Sequence, residues 1–216
     1  MADPLELKRL ESPDRETLRQ LYAIYAASIV AREQKAEDWI RAMVGAPEYR
    51  VSIAKSGGLV QGFSILFFPL TEGFALLEYM AVATDQRNRG LGAQLFGHSV
   101  EQAVTPEGRK VPVLLEIDSD REASSDRAIR TRRAGFYRRL GSVRIAGLRY
   151  VMPLPGEGPP PEMDLMVYSA ERLARLRRSE LKRWLQTIYR DVYCCSPDDP
   201  RIEQMLHDLP DPVGVE

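Results

Sequence analysis

Glu78-Tyr79-Met80-Ala81-Val82-Ala83-Thr84-Asp85-Gln86-Arg87-Asn88-Arg89-Gly90-Leu91-Gly92-Ala93-Gln94-Leu95 is the stretch from which the fold of this 216-residue chain is read. Phe74 to Val82 is apolar and long enough for a buried strand. Thr84 to Arg89 carries no apolar side chain and reads as a loop. Gly90 then opens a helical pattern, with Gly92, Phe96, Val100 and Ala103 on one face and Leu95 beside them. The first turn of a helix has unpaired N–H groups and partial positive charge, which suit a phosphate. Gly90 and Gly92 let a ligand approach the backbone closely. Arg87 and Arg89 add charge there. Strand, basic turn and glycine-opened helix together make a candidate pyrophosphate cradle. The plainer alternative is a tight connection with solvated arginines. No Gly-Lys-Ser/Thr follows the turn, which argues against a P-loop, and three glycines spaced for a dinucleotide fold are missing.

Arg87-Asn88-Arg89-Gly90-Leu91-Gly92 resembles the Gln/Arg-x-x-Gly-x-Gly/Ala signature of the GNAT-type N-acetyltransferases. Ala134-Gly135-Phe136-Tyr137-Arg138-Arg139-Leu140-Gly141 resembles that family's later segment, a helix ending in a tyrosine before a Lys/Arg-Leu-Gly turn. The two lie in the family's order, with a strand-like run, Val111 to Ile117, between them. The resemblance covers roughly Leu5 to Ser169. It implies an α/β (α+β) fold with a twisted, mainly antiparallel central sheet and helices on both faces. In that fold two central strands splay apart and acyl-CoA enters the gap. The expected layout is an acyltransferase domain over residues 1–169 and a C-terminal helical extension over 170–216 with a flexible end.

Composition narrows the class. Hydrophobic residues at 44% can build a core, and charged residues at 28% argue for a soluble protein. The 30 basic and 31 acidic residues nearly cancel, against a general nucleic-acid binder. No apolar run approaches the ~18 residues of a membrane helix. Met-Ala-Asp-Pro-Leu-Glu lacks the basic and apolar regions of a secretory signal. Cys194 and Cys195 are adjacent and form no disulfide framework, which reads as a reducing, cytoplasmic setting. His98 and His207 lack metal-ligand spacing, so no metal is expected.

Along the chain, Leu5 to Leu10 reads as an edge strand. Ser12 reads as a helix cap with Pro13 at the first position. Leu18, Leu21, Tyr22, Tyr25 and Ile29 mark one helical face. A short helix follows near Ala36 to Val44, with Trp39, Ile40 and Met43 inward. Tyr49 to Lys55 and Leu59 to Phe68 are strands around the turn signal Ser56-Gly57-Gly58. After the central strand and helix come a strand at Val111 to Ile117, a polar segment Asp118 to Asp126, and a helix over Ala128 to Leu140. Ser142 to Ile145 and Leu148 to Leu154 are short strand candidates. Pro153 to Glu162 is a loop and Asp164 to Tyr168 a last strand. Leu173, Leu176, Leu181, Trp184, Leu185, Ile188 and Val192 then suggest one or two amphipathic helices. Arg172, Arg175, Arg177, Arg178, Lys182 and Arg183 line the other side. That face is either solvated or shapes an acceptor pocket or a homodimer contact. Asp208 to Glu216 reads as a frayed end.

The chemistry implied by the resemblance is transfer of an acetyl (acyl) group from acetyl-CoA (acyl-CoA) to a primary amine. Backbone N–H groups of Arg87, Asn88, Arg89, Gly90, Leu91, Gly92 and Ala93 hold the pyrophosphate in this reading. The backbone of Met80, Ala81 and Val82 pairs with the pantetheine arm like an added strand. An N–H near Val82 polarises the thioester carbonyl. Tyr137 is the candidate general acid for the departing thiolate, or else packs its ring and orients CoA. Glu78, on the same strand face as Met80, is the favoured base, because a carboxylate among Leu76, Leu77 and Tyr79 is poised for a raised pKa. Glu116 competes from the neighbouring strand. The family's usual asparagine, seven residues before the tyrosine, is replaced here by Arg130. Arg130 and Arg133 are either phosphate contacts or surface charges. Tyr22, Tyr25 and Trp39 are candidate acceptor-lining residues, or plain core. Small-molecule amines and protein or peptide amines are both admissible acceptors. A non-catalytic acyl-CoA-binding regulatory module is the alternative function, and a longer acyl group a variant of the first.

Overall fold

Two compact units divide the chain in the computed structural model, which describes residues 3–121, 125–154, 162–171 and 173–216. The first comprises Met1–Thr71 and Ala75–Lys110, the second Glu72–Phe74 and Val111–Glu216. The fold is mixed α/β, with a mostly antiparallel sheet flanked by helices.

The first unit runs β1 (Glu6–Arg9), α1 (Arg15–Ser28), a short turn (Ala31–Glu33), α2 (Glu37–Met43), β2 (Tyr49–Ser56), β3 (Leu59–Phe67), β4 (Ala75–Val82) and α3 (Leu91–Glu101). Its strands pair antiparallel in the order β1-β2-β3-β4. Gly57 and Gly58 take left-handed φ values of 56° and 77° in the β2–β3 turn, which side chains resist. Strand alternation splits the apolar residues between two faces. Val51, Ile53, Phe63, Ile65, Tyr79 and Ala81 form one core with Leu21 and Tyr25 of α1 and Ile40 and Met43 of α2. The other face takes α3: the Ser64 and Ser99 hydroxyls lie 2.7 Å apart, and Leu95 sits over Gly62.

Two expectations fail in this unit. Ser12 does not cap α1. Asp14 does, accepting the Thr17 N–H at 2.7 Å and the Thr17 hydroxyl at 2.9 Å, because a carboxylate suits the positive end of the helix dipole. Trp39 does not point inward. It is 52% exposed, since Ile40 and Met43 already form the inward stripe of a seven-residue helix and Trp39 lies about 100° from Ile40.

The second unit runs β5 (Val113–Asp118), α4 (Arg127–Arg139), β6 (Val143–Arg144), β7 (Tyr150–Val151), β8 (Glu162–Tyr168), β9 (Arg175–Leu176), α5 (Arg178–Thr187), a π-helical turn (Ile188–Val192), α6 (Pro200–Leu206) and β10 (Val213–Gly214). β8 lies between β5 and β6 and also pairs with β7, all antiparallel. Asp164, fully buried on β8, is clasped by Arg121 at 2.8 Å and Arg144 at 2.7 Å. Trp184 of α5 packs on Phe74 with ring centroids 5.4 Å apart, and Tyr189 donates its hydroxyl proton to the Val151 carbonyl.

Asp164 to Tyr168 is not the last strand, because β9 and β10 pair with each other beyond it. The C-terminal end is not frayed either. Val213 is fully buried, and Glu216 exchanges backbone hydrogen bonds of 2.6 and 2.9 Å with Arg144. The prolines and Gly214 mark a turn into a short strand, not a loose tail. Most of the loop expected over 153–162, part of the polar segment over 118–126, and Arg172 lie outside the described residues. No helix among the described residues is long and apolar enough to cross a membrane.

Candidate active site

In the first unit the site residues gather on β4 and the turn after it. β3 pairs Ile65 with Tyr79 but Leu66 with Leu77, so Glu78 is the extra residue of a β-bulge. A bulge bends its strand and re-aims a side chain, and bulges recur beside active sites. Beyond it, Tyr79 and Ala81 are buried in the α1 core, while Met80 and Val82 are half-buried. The bulge breaks the alternation, so Glu78 does not share the face of Met80 as expected but meets Lys35 beside Tyr25 and Tyr79. The Ala83 N–H donates to the Gln61 carbonyl of the β2–β3 hairpin at 2.8 Å. Alternation of the ladder therefore turns the N–H groups of Met80 and Val82 away from β3. Those are the two donors that an extended ligand arm along β4 would need.

The turn after β4 has an uncommon backbone. Asn88 and Gly90 both have left-handed φ, 63° and 81°, with Arg89 between them outside that region. Positive-φ residues of this kind recur in backbone nests that take anions. Gly90 is the N-cap of α3 and offers no capping side chain. The Arg87 N–H is spent on the Thr84 carbonyl, and the Ala93 N–H on the Gly90 carbonyl at 3.1 Å. The N–H groups of Leu91 and Gly92 precede the first helical bond, made by Ala93. Arg87 and Arg89 are exposed beside them.

Glu78 is the electrostatic centre of the unit. Its side chain is 3% exposed, and Lys35 Nζ lies 2.6 Å from Oε1, while neither carboxylate oxygen makes a hydrogen bond of standard geometry. Burial pushes the Glu78 carboxyl above the usual carboxylate range, and Lys35 opposes that shift. Lys35 is held from below. Its N–H donates to the Tyr25 hydroxyl at 2.6 Å, and the Tyr79 hydroxyl donates to the Glu33 carbonyl at 2.9 Å. The Gln34 amide donates to the Ile29 carbonyl at 2.7 Å. Lys35 Nζ also lies 5.7 Å from the centre of the exposed Trp39 ring, within cation–π range. Tyr25 is core, packed edge-on against Tyr79 at 5.1 Å, and Tyr22 stacks on it at 5.7 Å. Sequence reading missed Lys35. It sits in a turn between two helices, where no periodicity marks it.

In the second unit, Tyr137 lies in the last turn of α4 with its ring edge-on to Phe136 at 5.1 Å. The residue is half-buried. Burial pushes its hydroxyl up to about 12, with Arg133 opposing. Glu116 is committed elsewhere. The Tyr150 hydroxyl donates to one of its oxygens and the Tyr193 hydroxyl to the other at 2.6 Å. Arg130 pairs with Asp126 at 3.0 Å and Arg133 with Asp118 at 2.7 Å, so both guanidinium groups already meet carboxylates. Cys194 and Cys195 are free thiols, and no group of acidic, histidine and cysteine side chains among the described residues could hold a metal ion.

Comparison with known proteins gives a family and a fold. The model of the acetyltransferase (GNAT) family matches residues 15–141. No curated protein matches the chain. A proposed acetyltransferase of the GNAT family from Bacteroides thetaiotaomicron superposes with a TM-score of 0.67 at 21% identity, covering 87% of this chain and 98% of that one. The ribosomal-protein-S18-alanine N-acetyltransferase of Escherichia coli superposes with a TM-score of 0.54 at 20% identity, covering 79% and 99%. A GNAT family acetyltransferase from Elizabethkingia anophelis, with acetyl-CoA bound, gives 0.52 at 15% identity, covering 76% and 97%. At such identities the likeness carries the fold.

Proposed function

This chain belongs to the acetyltransferase (GNAT) family, and on that premise we propose that it moves an acetyl group from acetyl-CoA to a primary amine by direct transfer. The observation that carries the proposal is the coincidence on one strand and turn of three features. They are outward N–H donors at Met80 and Val82, an anion nest over Asn88 to Gly90 leading into α3, and a buried carboxylate at the bulge.

The residues divide the work. N–H groups from Asn88 to Gly92 hold the pyrophosphate, with Arg87 and Arg89 supplying charge. Met80 and Val82 bind the pantetheine arm through their backbone, and the Val82 N–H steadies the negative charge that builds on the thioester oxygen. Glu78 takes a proton from the acceptor ammonium, directly or through water, and the freed amine forms the C–N bond. As the C–S bond breaks, the Tyr137 hydroxyl donates to the departing sulfur, and the nitrogen gives up its second proton, which ends on the thiolate. The family's reaction supports this order. The upward shift of Glu78 supports its role, since a base is most useful when its pKa approaches the working pH.

The Escherichia coli neighbour is named for an alanine of ribosomal protein S18. Protein amines therefore stand beside small amines as acceptors to test. The test is a panel of both, read by thiol release from acetyl-CoA. Release that depends on one amine class and saturates with it supports the enzyme. Acetyl-CoA binding without release for any amine would instead favour a binding module.

A further inference from the structure

We propose that Lys35 is an acetyl acceptor in its own right, so that the protein acetylates its own Lys35 when acetyl-CoA is bound and no other amine competes. The inference rests on the reading of β4 as the acyl-CoA strand. A base carboxylate in an N-acetyltransferase must meet the ammonium of its acceptor. Here a primary ammonium of the protein is already on it, 2.6 Å from Glu78 Oε1. The anchoring is specific. Tyr25, Tyr79 and Gln34 fix the backbone of the Glu33–Lys35 turn, so the four-carbon stem delivers Nζ to the same carboxylate without searching. The Lys35 side chain keeps some access to solvent, being 16% exposed, while that of Glu78 is 3% exposed.

Composition sharpens the point. The sequence holds five lysines among its 30 basic residues, the other twenty-five being arginines. An arginine also pairs with carboxylates but resists acetylation, because its guanidinium does not give up a proton in proteins. Lys8 and Lys182 pair with exposed Glu6 and Glu203, ordinary surface partners. Lys35 instead meets a carboxylate whose side chain is 3% exposed. The step then balances. The Lys35 ammonium gives its proton to Glu78. Neutral Nζ forms a C–N bond to the thioester carbonyl carbon. The C–S bond breaks, the nitrogen gives up its second proton and that proton ends on the thiolate, leaving N-acetyl-lysine and free CoA.

The experiment incubates the full chain with acetyl-CoA alone, follows intact mass, and maps the modified peptide. Calorimetric titration with acetyl-CoA runs in parallel on the wild type and on Lys35→Arg and Glu78→Gln. The expected result is one acetyl group per chain on Lys35, none in Lys35→Arg, and labelling slower by about tenfold or more in Glu78→Gln, with acetyl-CoA affinity kept in both. Affinity kept in the variants shows that they fold. Binding of acetyl-CoA with Lys35 unmodified overturns this inference alone. Labelling spread over Lys8, Lys55, Lys110 and Lys182, and unchanged in Glu78→Gln, overturns it as ordinary chemical acetylation. No binding of acetyl-CoA to the wild type overturns this inference and the proposed function together.

Discussion

At the level of single residues, the account turns on which protons Glu78 and Tyr137 can hold. Glu78 works as a base only when ionised, and burial raises its pKa above the ordinary value of 4.5. Turnover should therefore fall as pH drops through a point above the usual carboxylate range. Lys35 opposes the shift, so Lys35→Met removes a stabilising positive charge and should move that acid limb to higher pH. Glu78→Gln should remove the limb and cost on the order of 10²-fold or more in kcat. A pH–rate profile unchanged in Glu78→Gln would falsify the assignment. Tyr137 poses a different balance. Its hydroxyl is pushed up to about 12, whereas a thiol ionises near ~8.5, so complete transfer is uphill by roughly 5 kcal/mol. The hydroxyl then acts chiefly by donating a hydrogen bond to sulfur as it departs. Tyr137→Phe should lower kcat by about 10²-fold, the low end for general acids, and leave acetyl-CoA affinity intact. Full activity in that variant would leave Tyr137 with a packing role.

At the level of elements, the strand, basic turn and helix from Glu78 to Leu95 were legible because each has a local physical cause. Those causes are an apolar run, a polar gap, and a glycine free to adopt positive φ at the N-cap. The bulge at Glu78 was not legible. It depends on the register with β3, which is a property of two strands and not of one. The cap of α1 was misplaced by two residues for a related reason. Ser12 and Asp14 both carry a capping side chain, and which one is used depends on where β1 releases the chain. Gly62 tests the β3–β4 contact. A Cβ there would lie 2.9 Å from the Ala81 carbonyl and 3.5 Å from Leu95, so β4 must shift where the pantetheine arm is proposed to bind. Gly62→Ala should cost about 1–3 kcal/mol, read as a lower urea midpoint, and should weaken acetyl-CoA binding. A midpoint and affinity equal to the wild type would mean that β4 yields without effect.

At the level of the molecule, the C-terminal segment was read as helical from its leucines and Trp184, and α5 agrees. Its place in the fold was not readable, because periodicity gives a buried face but not what covers it. Leu181, Trp184, Leu185, Ile188, Tyr189 and Val213 are each at most 2% exposed. Burial of such side chains contributes about 1.5–3 kcal/mol apiece. Together that is comparable with the ~5–15 kcal/mol that holds a typical domain folded. Removing residues 170–216 should therefore abolish cooperative unfolding by calorimetry. A truncated chain that still melts cooperatively would make the segment an accessory. The claim beneath all of these is that β4 and the turn into α3 hold CoA, and titration calorimetry with acetyl-CoA and CoA tests it most directly, with Gly92→Glu placing a carboxylate where the pyrophosphate should lie. The account predicts micromolar binding of both, roughly −8 kcal/mol, lost in the variant. Absence of binding to the wild type, or equal binding to Gly92→Glu, would contradict it.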